Sequence, residues 1–172
     1  MTTQHTTSHV VTDLLELYLN DHLAGAAAGR ARVHRMASAY PDPEIGGPLH
    51  ELARQLDAEY ERLETLLLEL GMRRLTYRQL AARALERLGR LKLNGRLLRR
   101  SPMTPVLELE LMRGAVNAKA GLWELLVSLS PDLGLDAREF SELAALVPRQ
   151  SRMLEELHGE LVPDAFRDVP PE

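Results

Sequence analysis

The amino-acid sequence predicts an all-α protein that folds as a single helical bundle. Leucine makes up roughly one residue in five of the 172, whereas aromatic residues make up only 4%. Valine and isoleucine are also few, which disfavours sheets and favours helices that pack through leucine and alanine. Apolar residues recur at steps of three and four, the period of one helix face. We therefore expect one domain over residues 1–172, with an ordered core over about 12–162 and loose ends.

The first helix is predicted to begin near Thr12, with Asp13 in its positively charged first turn, and to end before Tyr40. The prolines that follow enforce this end, because proline disfavours the helical conformation in the residue before it. Small residues fill positions 24–29, where they would let another helix approach closely. The positions expected to face inward are Leu14, Leu15, Tyr18, His22, Gly25 or Ala26, Gly29, Val33 and Met36.

The second helix is predicted to start after Gly46 and Gly47, with Pro48 at its first position. Gly71 is expected to stop it, because glycine readily adopts the conformation that terminates a helix. Its inward positions should be Leu49, Leu52, Ala53, Leu56, Leu63, Leu67 and Leu70.

The third predicted helix is strongly basic. Thr76 and Gln79 form a capping box, and Leu75 and Leu80 have the spacing of a hydrophobic staple. Residues 73–100 contain ten Arg or Lys and one acid, a charge of +9 in a chain whose net charge is −4. Its apolar residues share one face: Leu80, Ala84, Leu88, Leu91, Gly95 and Leu98. The pattern favours an amphipathic helix that packs on the acidic remainder of the protein.

The fourth helix is predicted to start at Thr104 and Pro105 and to run to about Leu129. The residues expected to point inward from it are Leu107, Leu111, Gly114, Ala118, Leu122 and Leu125.

The fifth helix is predicted to open at a second capping box, formed by Asp136 and Glu139. Pro148 lies inside its periodic pattern, so we expect a kink or break at Val147. The tail from Pro163 onward is expected to be loose.

Two stretches of this chain resemble a known family. Residues 19–26, LNDHLAGA, and residues 89–96, GRLKLNGR, followed by Ser101 and Pro102, resemble a family of short helical proteins from bacteria, mostly actinobacteria. The resemblance covers about residues 12–160. It implies a ferritin-like four-helix bundle with an additional basic crossover helix between the second and third core helices. That family is uncharacterised in function, so the resemblance implies no activity.

Composition excludes several function classes. The chain has no cysteine, which excludes disulfides, iron–sulfur clusters, thiolate zinc sites and cysteine nucleophiles. No apolar run approaches the roughly 20 residues that span a bilayer. The N-terminus lacks the charged-then-apolar pattern of a signal peptide. We therefore expect a soluble, cytoplasmic protein.

The main functional prediction is a non-enzymatic protein without a cofactor that acts through protein–protein contacts, including self-association into a homo-oligomer. No Gly-x-Ser-x-Gly elbow and no glycine-rich phosphate loop is present, so no catalytic residue is assigned.

A ferritin-like bundle raises the alternative of a carboxylate-bridged di-metal site. Such a site takes one Glu from each of two helices and a Glu-x-x-His motif from each of the other two. Only one such motif is present, and the second helix has no histidine at the required spacing. The alternative prediction is therefore a metal-binding or di-iron oxidoreductase-type protein with an incomplete ligand set for iron or another divalent metal. Its ligands would be Glu16, Glu59, Glu110, Glu155 and His158.

Glu59 also has a purely structural interpretation. Leu56 and Leu63 flank it at helical spacing, which predicts a buried carboxylate. A buried carboxylate requires a cation, and Lys92 or Lys119 could supply it. Structural pairing is favoured over catalysis at this position.

The basic helix offers a third function, the binding of an anion such as nucleic acid or anionic lipid. The candidate residues are Arg83, Arg87, Arg90, Lys92 and Arg96, which lie on the flanks of the apolar face. Nucleic acid is disfavoured as the partner, because the rest of the chain is acidic and aromatic stacking platforms are scarce.

Overall fold

The computed structural model describes residues 10–75 and 103–166, and in these two ranges all regular secondary structure is helical. Helix α1 spans Thr12–Ala39, α2 spans Pro43–Glu69, α3 spans Met103–Ala118, α4 spans Ala120–Leu133 and α5 spans Ala137–Phe166. Only Lys119 separates α3 from α4, so these two helices form one rod, and the five described helices together form four long rods. The all-α prediction is confirmed. None of the helices in the described ranges is long and apolar enough to cross a membrane.

Local sequence signals account for three of the helix ends. The Asp42 carboxylate accepts a hydrogen bond of 2.8 Å from the backbone N–H of Glu44, which caps α2. Asp136 does the same for Arg138 at 2.9 Å and so caps α5. Gly71 has a φ of +65°, a left-handed conformation that glycine adopts without the steric cost of a Cβ. It ends α2 as predicted.

The start of α2 differs from the prediction. The helix begins at Pro43 rather than after Gly47, because Asp42 supplies the cap and Pro43 takes the first helical position. Pro48 therefore lies inside the helix. A glycine is required at position 46, because a Cβ at this position would collide with the carbonyl oxygen of Tyr40.

Helix α5 also differs from the prediction. It continues through Pro148 and Pro163 to Phe166, so no break occurs at Val147, and the loose chain expected from Pro163 is wrong for residues 163–166. The alternative expectation, a kink at Val147, stays a prediction. Proline removes one backbone hydrogen bond from a helix, but at Pro148 the burial of apolar side chains on both sides outweighs that loss. Phe140 and Leu154 are both fully buried against the core.

The inward face of the α3–α4 rod is a third correction. Leu111 was expected to point inward, yet it is 47% exposed. Leucines and valines lie on two adjacent stripes of this rod, so periodicity alone could not choose between them. The buried apolar residues are Val106, Leu109, Met112, Val116, Leu122, Trp123 and Leu126, of which Leu122 was predicted.

Contacts between α1 and α2 show that the two helices form an antiparallel hairpin. Asn20, in the first half of α1, donates a hydrogen bond of 2.9 Å to the carbonyl of Arg73, just after α2. Arg30, near the other end of α1, pairs with Asp57 in the middle of α2 at 2.6 Å.

The remaining contacts fix the directions of the other rods. Arg32 near the end of α1 meets Glu108 near the start of α3 at 3.5 Å, so α3 starts beside the end of α1. Arg113 of α3 pairs with Glu155 of α5 at 2.9 Å, and Glu110 meets the later residue His158, so α3 and α5 are antiparallel. Helices α1 and α5 therefore run one way, and α2, α3 and α4 run the other way. The end of α2 and the start of α3 lie at opposite ends of the bundle.

Candidate functional site

A buried carboxylate lies where three of the four rods meet. Glu59 of α2 is only 5% exposed, as its position between Leu56 and Leu63 predicted. Its Oε2 atom is 2.5 Å from the Nζ atom of Lys119, at the junction of α3 and α4. Its Oε1 atom accepts a hydrogen bond of 2.8 Å from the side-chain amide of Gln150 in α5. The expected structural pairing of Glu59 with a lysine is thus confirmed, with Lys119 as the partner.

Lys119 is itself almost enclosed by protein. Its side chain is 13% exposed. Burial lowers the pKa of Lys119, because the apolar surroundings disfavour the ammonium, while the Glu59 carboxylate acts in the opposite direction. The chain contains 19 arginines and only two lysines. Arginine stays charged in any environment, whereas the pKa of a lysine responds readily to burial.

Gln150 completes the buried cluster, and the sequence analysis did not single it out. Its amide nitrogen also donates a hydrogen bond of 3.0 Å to the Oε1 atom of Gln55. Its own Oε1 atom is buried and has no hydrogen-bond partner among the described residues. The signal was present in the sequence, because Gln150 falls on the same helical stripe as the buried residues Val147, Leu154 and Leu157.

The Glu59–Lys119 pair lies in the wall of a cleft of about 410 Å³ between α1 and the α3–α4 rod, with α2 as its floor. The α1 wall consists largely of small residues, including Gly25, Ala26 and Gly29. A Cβ added at Gly25 or Gly29 would meet no other described atom within 4 Å, so these glycines leave space beside α1. The opposite wall and the floor are mainly apolar: Leu56, Leu63, Met112, Ala115, Val116, Ala118, Leu122 and Trp123.

Tyrosine and histidine side chains add polar atoms to the rim of the cleft. The rings of Tyr18 and His22 are 4.5 Å apart, and both residues line the α1 wall. Burial raises the pKa of Tyr18 above its usual value, so its hydroxyl stays a hydrogen-bond donor at neutral pH. Tyr60 lines the floor, and the Arg30 guanidinium covers its ring at 4.3 Å from the centroid.

Trp123 is the second residue of this site that the sequence analysis missed. It lines the cleft, is 2% exposed, and stacks on Phe140 with ring centroids 6.4 Å apart. Its indole N–H is buried and has no acceptor in the described part of the chain. Trp123 could have been singled out from the sequence, because it is the only tryptophan there.

The five residues predicted as metal ligands occupy four separate places. Glu59 pairs with Lys119, and Glu155 pairs with Arg113. The Glu16 carboxylate accepts a hydrogen bond of 3.1 Å from the backbone N–H of Arg73.

Only two of the five come together, Glu110 and His158, whose side chains are 3.1 Å apart. Over residues 10–75 and 103–166, no group of three or more His, Asp or Glu side chains is arranged to hold a metal ion. The predicted set is therefore not one site in this structure, because most of its carboxylates already face cations of neighbouring helices.

The residues predicted to bind anions, Arg83, Arg87, Arg90, Lys92 and Arg96, lie outside the described residues, so anion binding stays a prediction. Two other arginines of the basic segment are described, and both meet acids of the bundle. Arg74 pairs with Glu64, and its guanidinium is 3.3 Å from the Tyr60 hydroxyl. Arg73 is 3.7 Å from Glu16.

Comparison of this chain with family models, with curated proteins and with solved structures gives no match. The chemistry of the cleft must therefore be argued from its own residues. It combines a mainly apolar lining with a few polar groups that converge from different helices, which is the usual composition of a small-molecule site.

Proposed function

We propose that this protein binds a small, largely apolar molecule with one polar group in the cleft between α1 and the α3–α4 rod. The observation that carries this proposal is the location of the Glu59–Lys119 pair in the wall of a cleft that is otherwise mainly apolar. An apolar body would replace water against Leu56, Leu63 and Val116. A polar end would find the Glu59 carboxylate and the Lys119 ammonium, and the Tyr18 hydroxyl on the α1 wall.

The proposal includes a ferritin-like architecture. Rods α1 and α5 are parallel to each other and antiparallel to the other two, and the chain from α2 to α3 has to connect opposite ends of the bundle. Four-helix bundles of the ferritin type have one long crossover connection of this kind. The cysteine-free composition is compatible with a cytoplasmic location, which is also part of the proposal.

The cleft is better suited to an organic ligand than to catalysis by a bound metal. Glu59, the most deeply buried carboxylate of the predicted metal set, already has Lys119 as its cation. A metal ion would have to displace that ammonium. An apolar ligand would leave the pair intact.

The experiment uses the chain's own fluorophore. Trp123 is the only tryptophan and lines the cleft, so its emission reports directly on a molecule bound there. We suggest titrating the full chain with N-phenyl-1-naphthylamine, an apolar dye that accepts excitation energy from tryptophan. Binding in the cleft is expected to quench Trp123 emission and to raise dye emission in a saturable way.

Matched glycine variants locate the bound dye. Gly29→Leu places a side chain in the cleft and is expected to weaken dye binding by about tenfold or more, equivalent to roughly 1.4 kcal/mol. Gly159→Leu on α5 is the control, because Gly159 is an exposed helical glycine that does not line the cleft. Absence of saturable quenching, or equal affinity in both variants, would overturn the proposal.

A second candidate function is contact with another protein, including a second copy of this chain. Leucines with large exposed fractions favour it. Leu14, which was expected to face inward, is 64% exposed, and Leu68 is 71% exposed. The start of α1 and the end of α2 lie at the same end of the bundle, so these leucines share that end. Sedimentation analysis at increasing concentration tests self-association. A dimer that Leu14→Glu and Leu68→Glu dissociate would support it, and a monomer at all concentrations would remove it.

A further inference from the structure

We propose that Lys119 forms a reversible imine with the carbonyl group of an aldehyde ligand held in the cleft, with Glu59 as the counterion of the product. This inference rests on the proposed function, because the aldehyde must first enter the cleft. The inference adds a ligand class, aldehydes, and a chemical step, imine formation, to the proposed function.

The geometry provides an amine at an apolar binding surface. Lys119 lines the cleft together with Leu122, Val116 and Met112, so a bound apolar aldehyde would lie against the lysine side chain. Imines form when water is scarce, and a mainly apolar lining limits water at this point. Holding the two reactants together converts a bimolecular addition into a step within one complex.

The neighbouring carboxylate suits both the reaction and its product. Glu59 Oε2 lies 2.5 Å from Lys119 Nζ, within reach for proton transfer. Gln150 donates to the other carboxylate oxygen and so fixes the orientation of the group. Burial lowers the pKa of Lys119, which increases the fraction of neutral, nucleophilic amine.

The step balances without any further reagent. Glu59 accepts a proton from the Lys119 ammonium, and the freed lone pair of Nζ forms a bond to the carbonyl carbon. One proton moves from nitrogen to the carbonyl oxygen, which gives a carbinolamine. Glu59 then returns its proton to the hydroxyl group, the C–O bond breaks, water leaves, and a C=N bond forms. The product is an iminium of the same charge as the original ammonium, so the ion pair with Glu59 is preserved.

Reduction of the imine makes the step measurable. We suggest incubating the full chain with 2-naphthaldehyde near neutral pH, reducing with sodium cyanoborohydride, and mapping the labelled peptides by mass spectrometry. The chain has only one other lysine, Lys92, which serves as an internal reference in the same sample. Lys119 is expected to be labelled about tenfold or more faster than Lys92, because the cleft holds the aldehyde beside its amine and so makes the addition a step within one complex.

Two controls connect the labelling with the cleft. Gly29→Leu is expected to reduce labelling of Lys119 and to leave Lys92 unchanged, whereas Gly159→Leu should change neither. Lys119→Arg keeps a cation beside Glu59 and should abolish the label at this position only. A further test does not depend on the folding of any variant: N-phenyl-1-naphthylamine is added to the unmodified protein as a competitor and is expected to slow labelling of Lys119.

Failure of this inference is distinguishable from failure of the proposed function. Equal labelling of Lys119 and Lys92, in a protein that binds the dye in its cleft, would overturn imine formation while leaving ligand binding in place. Absence of dye binding would overturn the proposed function, and fast labelling of Lys119 that neither the dye nor Gly29→Leu reduces would overturn the role of the cleft.

Discussion

The Nζ atom of Lys119 lies 2.5 Å from the Oε2 atom of Glu59, and this contact joins the junction of α3 and α4 to the middle of α2. Gln150 adds α5 to the same carboxylate. Three rods are therefore tied together at one buried charge, and the fourth rod, α1, forms the opposite wall of the cleft. The pair positions the polar side of the cleft and also affects the stability of the bundle.

Lys119→Met is expected to lower the free energy of unfolding by about 3–5 kcal/mol, because it leaves the Glu59 carboxylate buried without a cation. Urea unfolding followed by circular dichroism measures this change. The slope of the transition should stay constant if both proteins unfold in two states.

The double variant Glu59→Leu/Lys119→Met provides the control. Replacing both charges by apolar groups removes the unpaired carboxylate, so most of the lost stability should return. A double variant as unstable as Lys119→Met alone would show that packing of the lysine stem, rather than charge pairing, dominates.

Asp57 is expected to stabilise the fold in a pH-dependent manner. Burial raises the pKa of Asp57, but hydrogen bonds and charges from Arg30, 2.6 Å away, and His34, 3.0 Å away, outweigh burial and hold it below the usual value. As pH falls, the unfolded chain therefore takes up this proton first. The stabilisation is present above the unfolded pKa of about 3.9 and is lost as pH falls through the lower folded value.

Asp57→Asn tests this sign. The substitution should lower the free energy of unfolding by about 1–2 kcal/mol at pH 7, the range for a partly exposed hydrogen-bonded charge pair. The difference from the unmodified protein should shrink as pH falls below the unfolded value of about 3.9. Asp132→Asn on the exposed surface of α4 is the control, with an effect within about 0.5 kcal/mol at either pH. A constant cost of Asp57→Asn across pH would contradict the assignment.

Replacing two helical glycines by alanine is expected to change the stability of the fold in opposite directions. Gly29→Ala should stabilise the protein by about 0.5–1 kcal/mol, because it raises helix propensity and its Cβ enters open space in the cleft. Gly46→Ala should destabilise it, because its Cβ would collide with the Tyr40 carbonyl oxygen at the corner between α1 and α2. Thermal unfolding of the two variants measures both signs, and stabilisation by Gly46→Ala would contradict the close approach.

Much of the fold could be predicted because the signals are local. Asp136 caps α5 within one helical turn, so the start of this helix was placed within a residue. The break expected beside Pro148 does not occur, for the complementary reason. The local preference of Pro148 opposes a helix, but the burial of residues before and after it depends on the whole bundle.

The site was predicted only where composition along one helix was informative. Glu59 stands between two leucines at helical spacing, which indicated burial and a cationic partner. Its partner could not be chosen between Lys92 and Lys119, because which lysine lies beside Glu59 depends on how the helices pack. The space beside Gly29 was unpredictable for the same reason, since a small residue in a helix can either admit a neighbour or leave a cleft.

The inward face of α3 can be tested by comparing a buried leucine with an exposed leucine. Leu109→Ala should cost about 2–5 kcal/mol, because Leu109 is 1% exposed and its loss would leave a cavity in the core. Leu111→Ala should change stability by no more than about 0.5 kcal/mol, because that side chain is 47% exposed. The two leucines are two positions apart on one helix and receive the same substitution, so helix propensity cancels in the comparison. Urea unfolding of both variants measures the two changes in the free energy of unfolding. A larger loss of stability for Leu111→Ala would contradict the observed inward face and support the face that was predicted from the sequence.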